Sequence, residues 1–197
     1  MSNQFYTYFQ LGISHITDLN GYDHIVFLVA LCAGYALKDV RRVAILITAF
    51  TIGHSITLAL AALQVISPWY ALIEKLIPCT IIFTALYTVY ADEPDFSSRN
   101  ITNTRAFRLK YLGALVFGFI HGLAFSNYFR ALQGEGQTIV KPLLAFNLGI
   151  EAGQLCIIFF ILFLSFLVLN IFGISLKSWR QFVSGAAFGI AVTLLLK

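Results

Sequence analysis

Apolar stretches long enough to cross a lipid bilayer recur along this chain, and no other feature of the sequence constrains its fold as much. A spanning helix takes about 20 mostly apolar residues. Crossings are read at residues 22–37, 43–66, 69–90, 111–129, 139–170 and 179–196. The first is short, so part of residues 5–19 is expected to lie in the interface or dip into it. Composition matters here because it excludes the soluble alternative. The 197 residues are 59% hydrophobic and 11% charged, whereas soluble domains carry about a quarter charged residues. A soluble domain this small has too little interior to hide so much apolar surface. In lipid, helices pair their own backbone polar groups within one segment. The expectation is an all-α, polytopic membrane helix bundle of about six transmembrane helices, forming a single transmembrane domain over residues 1–197.

The charges orient such a bundle. Of 13 Lys and Arg residues, nine fall in the first, third and fifth loops: Lys38, Arg41, Arg42, Arg99, Arg105, Arg108, Lys110, Lys177 and Arg180. Lys75, Arg130, Lys141 and Lys197 fall on the other side. Basic loops stay cytoplasmic, so both termini are expected on the non-cytoplasmic face, in a bacterial inner membrane. No Lys or Arg occurs in the first 20 residues, so a cleavable signal peptide with a basic leading region is not expected. No basic stripe with interleaved aromatics is present, which excludes a nucleic-acid partner. Cys32, Cys79 and Cys156 match neither a zinc knuckle nor a redox pair and read as small intramembrane side chains. Three G-x-x-x-G pairs, Gly118/Gly122, Gly149/Gly153 and Gly185/Gly189, read as close helix–helix packing.

Ionisable groups inside a bilayer are costly and usually mark a path or a site. This chain places Asp23 and His24 at the start of the first crossing, His54 mid-second, His121 mid-fourth and Glu151 mid-fifth. Glu74 stands near the outer end of the third. Asn147, Glu151 and Gln154, at i, i+4 and i+7, share one helix face, with Gly149 and Gly153 turned away from it. Thr51, Ser55 and Thr57 flank His54, but hydroxyls at such positions often bond only to their own helix. Imidazole with carboxylate suits nickel, zinc, iron or cobalt better than magnesium, and the lack of a Cys or Met pair argues against copper(I). No H-E-x-x-H motif is present, so a metal site must be assembled from several helices. The expected ligands are His24, His54, His121 and Glu151 in one cluster. Asp23 is expected either among the ligands or just behind them, pointing away from His24 or capping the helix, and Asn147, Gln154, Ser55 and Glu74 are in support. Glu151 carries the most weight, its charge coupled to metal occupancy.

Four motifs together resemble the HupE/UreJ family of membrane proteins. They are Gly21-Tyr22-Asp23-His24, the run from Thr48 through Gly53-His54-Ser55 to Thr57, Phe117-Gly118-Phe119-Ile120-His121-Gly122, and Phe146-Asn147-Leu148-Gly149-Ile150-Glu151-Ala152-Gly153-Gln154. Glu74 matches a recurrent glutamate of that family. The resemblance implies a nickel-type permease or accessory protein. His15 is followed by Ile16, not Pro, and lies further from Gly21 than the family spacing, so it is expected outside the ligand set. Two readings follow. In the first, the protein is a permease for a divalent transition metal, nickel or zinc, captured near Asp23 and His24 and passed to His54, His121 and Glu151. In the second, it is an intramembrane zinc-dependent hydrolase of a lipid or peptide, with Glu151 as general base. The expected partners are membrane lipid, the metal ion and further copies of the chain.

Overall fold

The computed structural model describes residues 2–90, 105–132 and 139–196, with side chains from residue 4. All regular structure among them is helical: α1 Ser2–Thr17, α2 Asp23–Cys32, α3 Val40–Ala62, α4 Tyr70–Tyr90, α5 Arg105–Leu132, α6 Val140–Asn170 and α7 Leu176–Leu195. Four stretches are long and apolar enough to span a membrane, namely Leu37–Ala62, Tyr70–Tyr90, Arg105–Leu132 and Val140–Asn170. Residues 91–104, between the crossings read at 69–90 and 111–129, lie outside the described residues. Phe159, Phe160 and Phe182 stand outward, more than half exposed, as lipid-facing side chains do.

Local chemistry ends the helices. Gln64, at φ +60°, closes α3. The Val65 N–H reaches the Leu60 carbonyl at 2.9 Å and the Gln64 N–H the Ala61 carbonyl at 3.1 Å, the paired bonds that satisfy orphan carbonyls at a helix end. Ser175 starts α7 by accepting the Ser178 N–H at 3.1 Å.

Glycines set the closest contacts. A Cβ on Gly53 would strike the Leu115 carbonyl, and one on Gly118 the Phe50 carbonyl. The matched steps 50/118 and 54/122 show α3 and α5 running parallel with backbones touching. On α6, Gly149 meets the Phe9 backbone and Gly153 the Ile16 side chain, so this glycine face seats α1. The third pair differs from expectation. Gly185 and Gly189 meet nothing within 4 Å, so that pair packs against none of the described residues.

The first crossing differs most. The helix predicted over 22–37 is only Asp23–Cys32, and the stretch expected at the interface is α1, a bundle member. Contacts with α5 give their arrangement. Tyr8 lies 5.9 Å from Phe129, His15 3.8 Å from Phe125, His24 4.9 Å from His121 and Phe27 6.0 Å from Phe117 (ring centroids). Further on, the Lys110 ammonium sits 4.7 Å over the Tyr35 ring. The chain therefore descends antiparallel to α5, first as α1 and then as α2. Between His15 and His24 nine residues of chain advance only four residues along α5, about 6 Å. α1 and α2 are two pieces of one crossing, broken at residues 18–22, and Thr17, Asp18, Leu19, Asn20 and Gly21 at the break are exposed.

Candidate metal centre

Four histidines on four helices meet at the level of that break. His15 lies in the last turn of α1 and His24 in the first turn of α2, while His54 and His121 come from the glycine-packed pair α3 and α5. The His15 ring is 4.7 Å from His24 and 6.0 Å from His54, and His24 is 4.9 Å from His121. His54 and His121 are 0% exposed and His24 6%. Phe50, Phe125 and Phe146 pack around them. The close α3–α5 seam brings His54 and His121 inward, because Gly122 lies against the His54 backbone.

Two groups of potential ligand atoms result, each with its atoms within 4.8 Å of one another: His15/His24/His54 and Asp23/His24/His121. His24 belongs to both. A tetrahedral ion with bonds near 2.1 Å would hold its ligands about 3.4 Å apart, so ligand atoms up to 4.8 Å apart would have to close in slightly to hold one. Several ring nitrogens are buried without a hydrogen-bond partner: His15 Nε2, His24 Nε2, both nitrogens of His54 and His121 Nδ1. Unpaired buried polar atoms in such number call for a ligand.

Hydrogen bonds set which nitrogen is offered. Thr80 donates its only hydroxyl proton to the Ile77 carbonyl at 2.7 Å. Its contact with His121 Nε2, at 3.2 Å, must then be the imidazole N–H donating to the hydroxyl oxygen. His121 thus keeps an Nδ1 lone pair that is buried and without a hydrogen-bond partner. Likewise Asp23 Oδ1 lies 3.1 Å from His24 Nδ1, which leaves His24 Nε2 free. Such outer partners orient ligating histidines. We expect Thr80→Val to lower metal affinity about tenfold, with Thr80→Ser restoring it, in titrations of purified protein. Equal affinity in Thr80→Val and wild type would show that the bond does not orient the ring.

The placements differ from the sequence expectation in three respects. His15, left out, is in the cluster. A signal for it existed, since Asp18, Asn20 and Gly21 follow within six residues of His15, the kind of turn-forming run that marks a helix break. Asp23 does not point away from His24: at the first turn of α2 its carboxylate folds back, accepting the His24 N–H at 2.9 Å. Glu151 lies in neither group and instead accepts a hydrogen bond from Thr48 at 2.9 Å. Gln154 pairs with Thr51 at 2.8 Å. Together these four form a second polar layer, three to six residues of α3 from His54, or about 4–9 Å along the axis. Asn147 and Ser55 bond to the Leu143 and Thr51 carbonyls of their own helices, and Glu74 is exposed near the start of α4, outside both groups.

A cavity of about 590 Å³ adjoins the cluster, lined by Ser14, His15, Asp18, Asp23, His24 and His121 among others. It lies directly behind the helix break. The family model described as HupE / UreJ protein matches residues 1–196 of the chain. No curated protein and no solved structure matches.

Proposed function

The chain belongs to the HupE/UreJ family, a family associated with metal transport, and from that premise we propose that it is a membrane permease for a divalent transition metal, nickel or zinc. The observation that carries this reading is the convergence of His15, His24, His54 and His121, with unpartnered buried ring nitrogens, beside Asp23. Neutral imidazole with one carboxylate favours borderline metals over hard cations. Two overlapping ligand groups that share His24 suit an ion that is passed on, since a permeation site must release what it binds. The Thr48, Thr51, Glu151 and Gln154 layer is the next station, with Glu151 meeting the ion after it leaves the histidines. Binding needs deprotonated imidazoles, so metal retention weakens as pH falls.

The test is uptake of radioactive zinc or nickel into proteoliposomes, alongside the metal content of the purified protein. Wild type accumulates metal in the lumen. Glu151→Gln keeps the metal bound at the histidines but slows transit at least about tenfold, because a carboxylate partner for a cation is removed inside a low-dielectric layer. Metal held stoichiometrically by wild type with no movement across the membrane would reject the permease and favour a resident-metal hydrolase. The topology is tested separately. Cysteines at Lys38 and Arg105 should react with an impermeant reagent only from the cytoplasmic face, both termini lying on the other side. Labelling from the outer face would reverse the proposed direction of capture.

A further inference from the structure

The break at residues 18–22 lies deep. His121 and Phe125, the α5 residues level with it, are 11 and seven residues from the end of α5 at Leu132, about 16 and 10 Å. A 28-residue α5 is about 42 Å long and, centred on a 30 Å hydrocarbon layer, would extend some 6 Å beyond it at each end. Residues 18–22 therefore fall within that layer. Yet Thr17, Asp18, Leu19, Asn20 and Gly21 are exposed, and residues 18–22 carry irregular backbone. Irregular backbone at this depth does not face lipid; it is buried in protein or lines a water-filled cavity. The 590 Å³ cavity lies behind the segment, with carboxylates and imidazoles on its wall, and that volume holds on the order of 20 waters.

We propose that the broken first crossing forms the wall of a water-filled vestibule leading from the outer face to the histidines, and that Asp18, on that wall beside them, collects hydrated divalent cations. The role of Asp18 rests on the permease reading; the vestibule does not. Three observations support it. Asp18 lines the same cavity as Asp23, His15, His24 and His121. Its Oδ1 accepts the Asn20 N–H at 2.9 Å, which fixes the carboxylate at the turn. The break also points the negative, carbonyl end of α1 toward the cluster, an arrangement that favours cations, while Asp23 offsets the positive end of α2. The unpartnered Nε2 of His24 and Nδ1 of His121 are buried beside this space.

The experiment places one cysteine at Asn20 in a full-length protein whose Cys32, Cys79 and Cys156 are alanines. Membranes are treated from the outer face with a charged, impermeant thiol reagent. Val65→Cys, in the exposed α3–α4 turn, serves as the aqueous control, and Phe159→Cys as the lipid-facing control. Asn20→Cys should react within about tenfold of the Val65→Cys rate, since both meet water. Reaction as slow as Phe159→Cys overturns the vestibule. So does spontaneous Asn20→Cys cross-linking between copies without labelling, which would mean that a second chain covers the break. For Asp18, Asp18→Asn should raise the KM for metal uptake severalfold with the maximal rate retained, and Asp18→Glu should restore it. An unchanged KM overturns the capture role. If wild type moves no metal while Asn20→Cys is labelled, the permease reading and the capture role fall and the vestibule stands.

Discussion

Replacing His24 is expected to remove metal retention almost entirely, with a larger effect than replacing any other histidine. His24 is the only residue common to both ligand groups, so its loss leaves His15 with His54 on one side and Asp23 with His121 on the other. Neither remnant is a three-ligand site. Loss of His15 or His54 instead leaves the Asp23/His24/His121 group intact. Removing an outer partner of a ligand typically costs 10- to 100-fold in affinity, so loss of the shared ligand should cost more than about 100-fold. Loss of His15 or His54 alone should cost nearer tenfold, by the same comparison. His24 is buried, so alanine also opens a cavity. His24→Gln, close in size, separates the two effects: it should retain the wild-type melting temperature and still lose the metal. Metal titration with a thermal melt on the same preparation decides the matter. Wild-type affinity in His24→Gln would mean that the ion does not bind where the two groups overlap.

The second large effect is on stability. Gly118→Ala should destabilise the bundle by more than about 3 kcal/mol, beyond the usual range for overpacking. The reason is what the added Cβ meets. At Gly118 it would enter the space of the Phe50 carbonyl, with the His54 nitrogen 3.0 Å away, and helix backbone cannot step aside as a side chain can. The α3–α5 seam must open, and His54 and His121 move with it. Gly185→Ala and Gly189→Ala, with nothing within 4 Å, are the matched controls and should leave the melting temperature unchanged. Detergent-solubilised yield and thermal melts of the three variants provide the check. A Gly118→Ala protein as stable as Gly189→Ala would mean that α3 and α5 do not touch along this seam.

Hydropathy made the helical membrane fold legible, because lipid tests every residue of a crossing against one solvent and each helix satisfies its own backbone. The spans 69–90 and 139–170 agree with Tyr70–Tyr90 and Val140–Asn170 to within a residue. The first crossing was not legible in the same way. A window of hydrophobicity registers a polar gap such as Asp18, Asn20 and Asp23 as the end of a helix. It cannot tell that the chain resumes the same descent one turn lower along α5. Sequence spacing to Gly21 sets His15 aside, whereas its place depends on α1 lying in the glycine groove of α6, a contact between residues far apart in sequence.

The residue types at the site, and the faces they occupy on their own helices, belong to the sequence: spacing alone put Asn147, Glu151 and Gln154 on one stripe and Gly149 and Gly153 on another. Which stripe meets which neighbour was decided only by tertiary packing. Gly53, Gly118 and Gly122 bring α3 and α5 to backbone contact, and His54 and His121 each come to face His24. The same rotations direct Glu151 to Thr48 rather than to the histidines. Helix periodicity is a local property, fixed by 100° per residue, whereas the angle at which one helix faces the next is set by whichever side chains are absent at their contact.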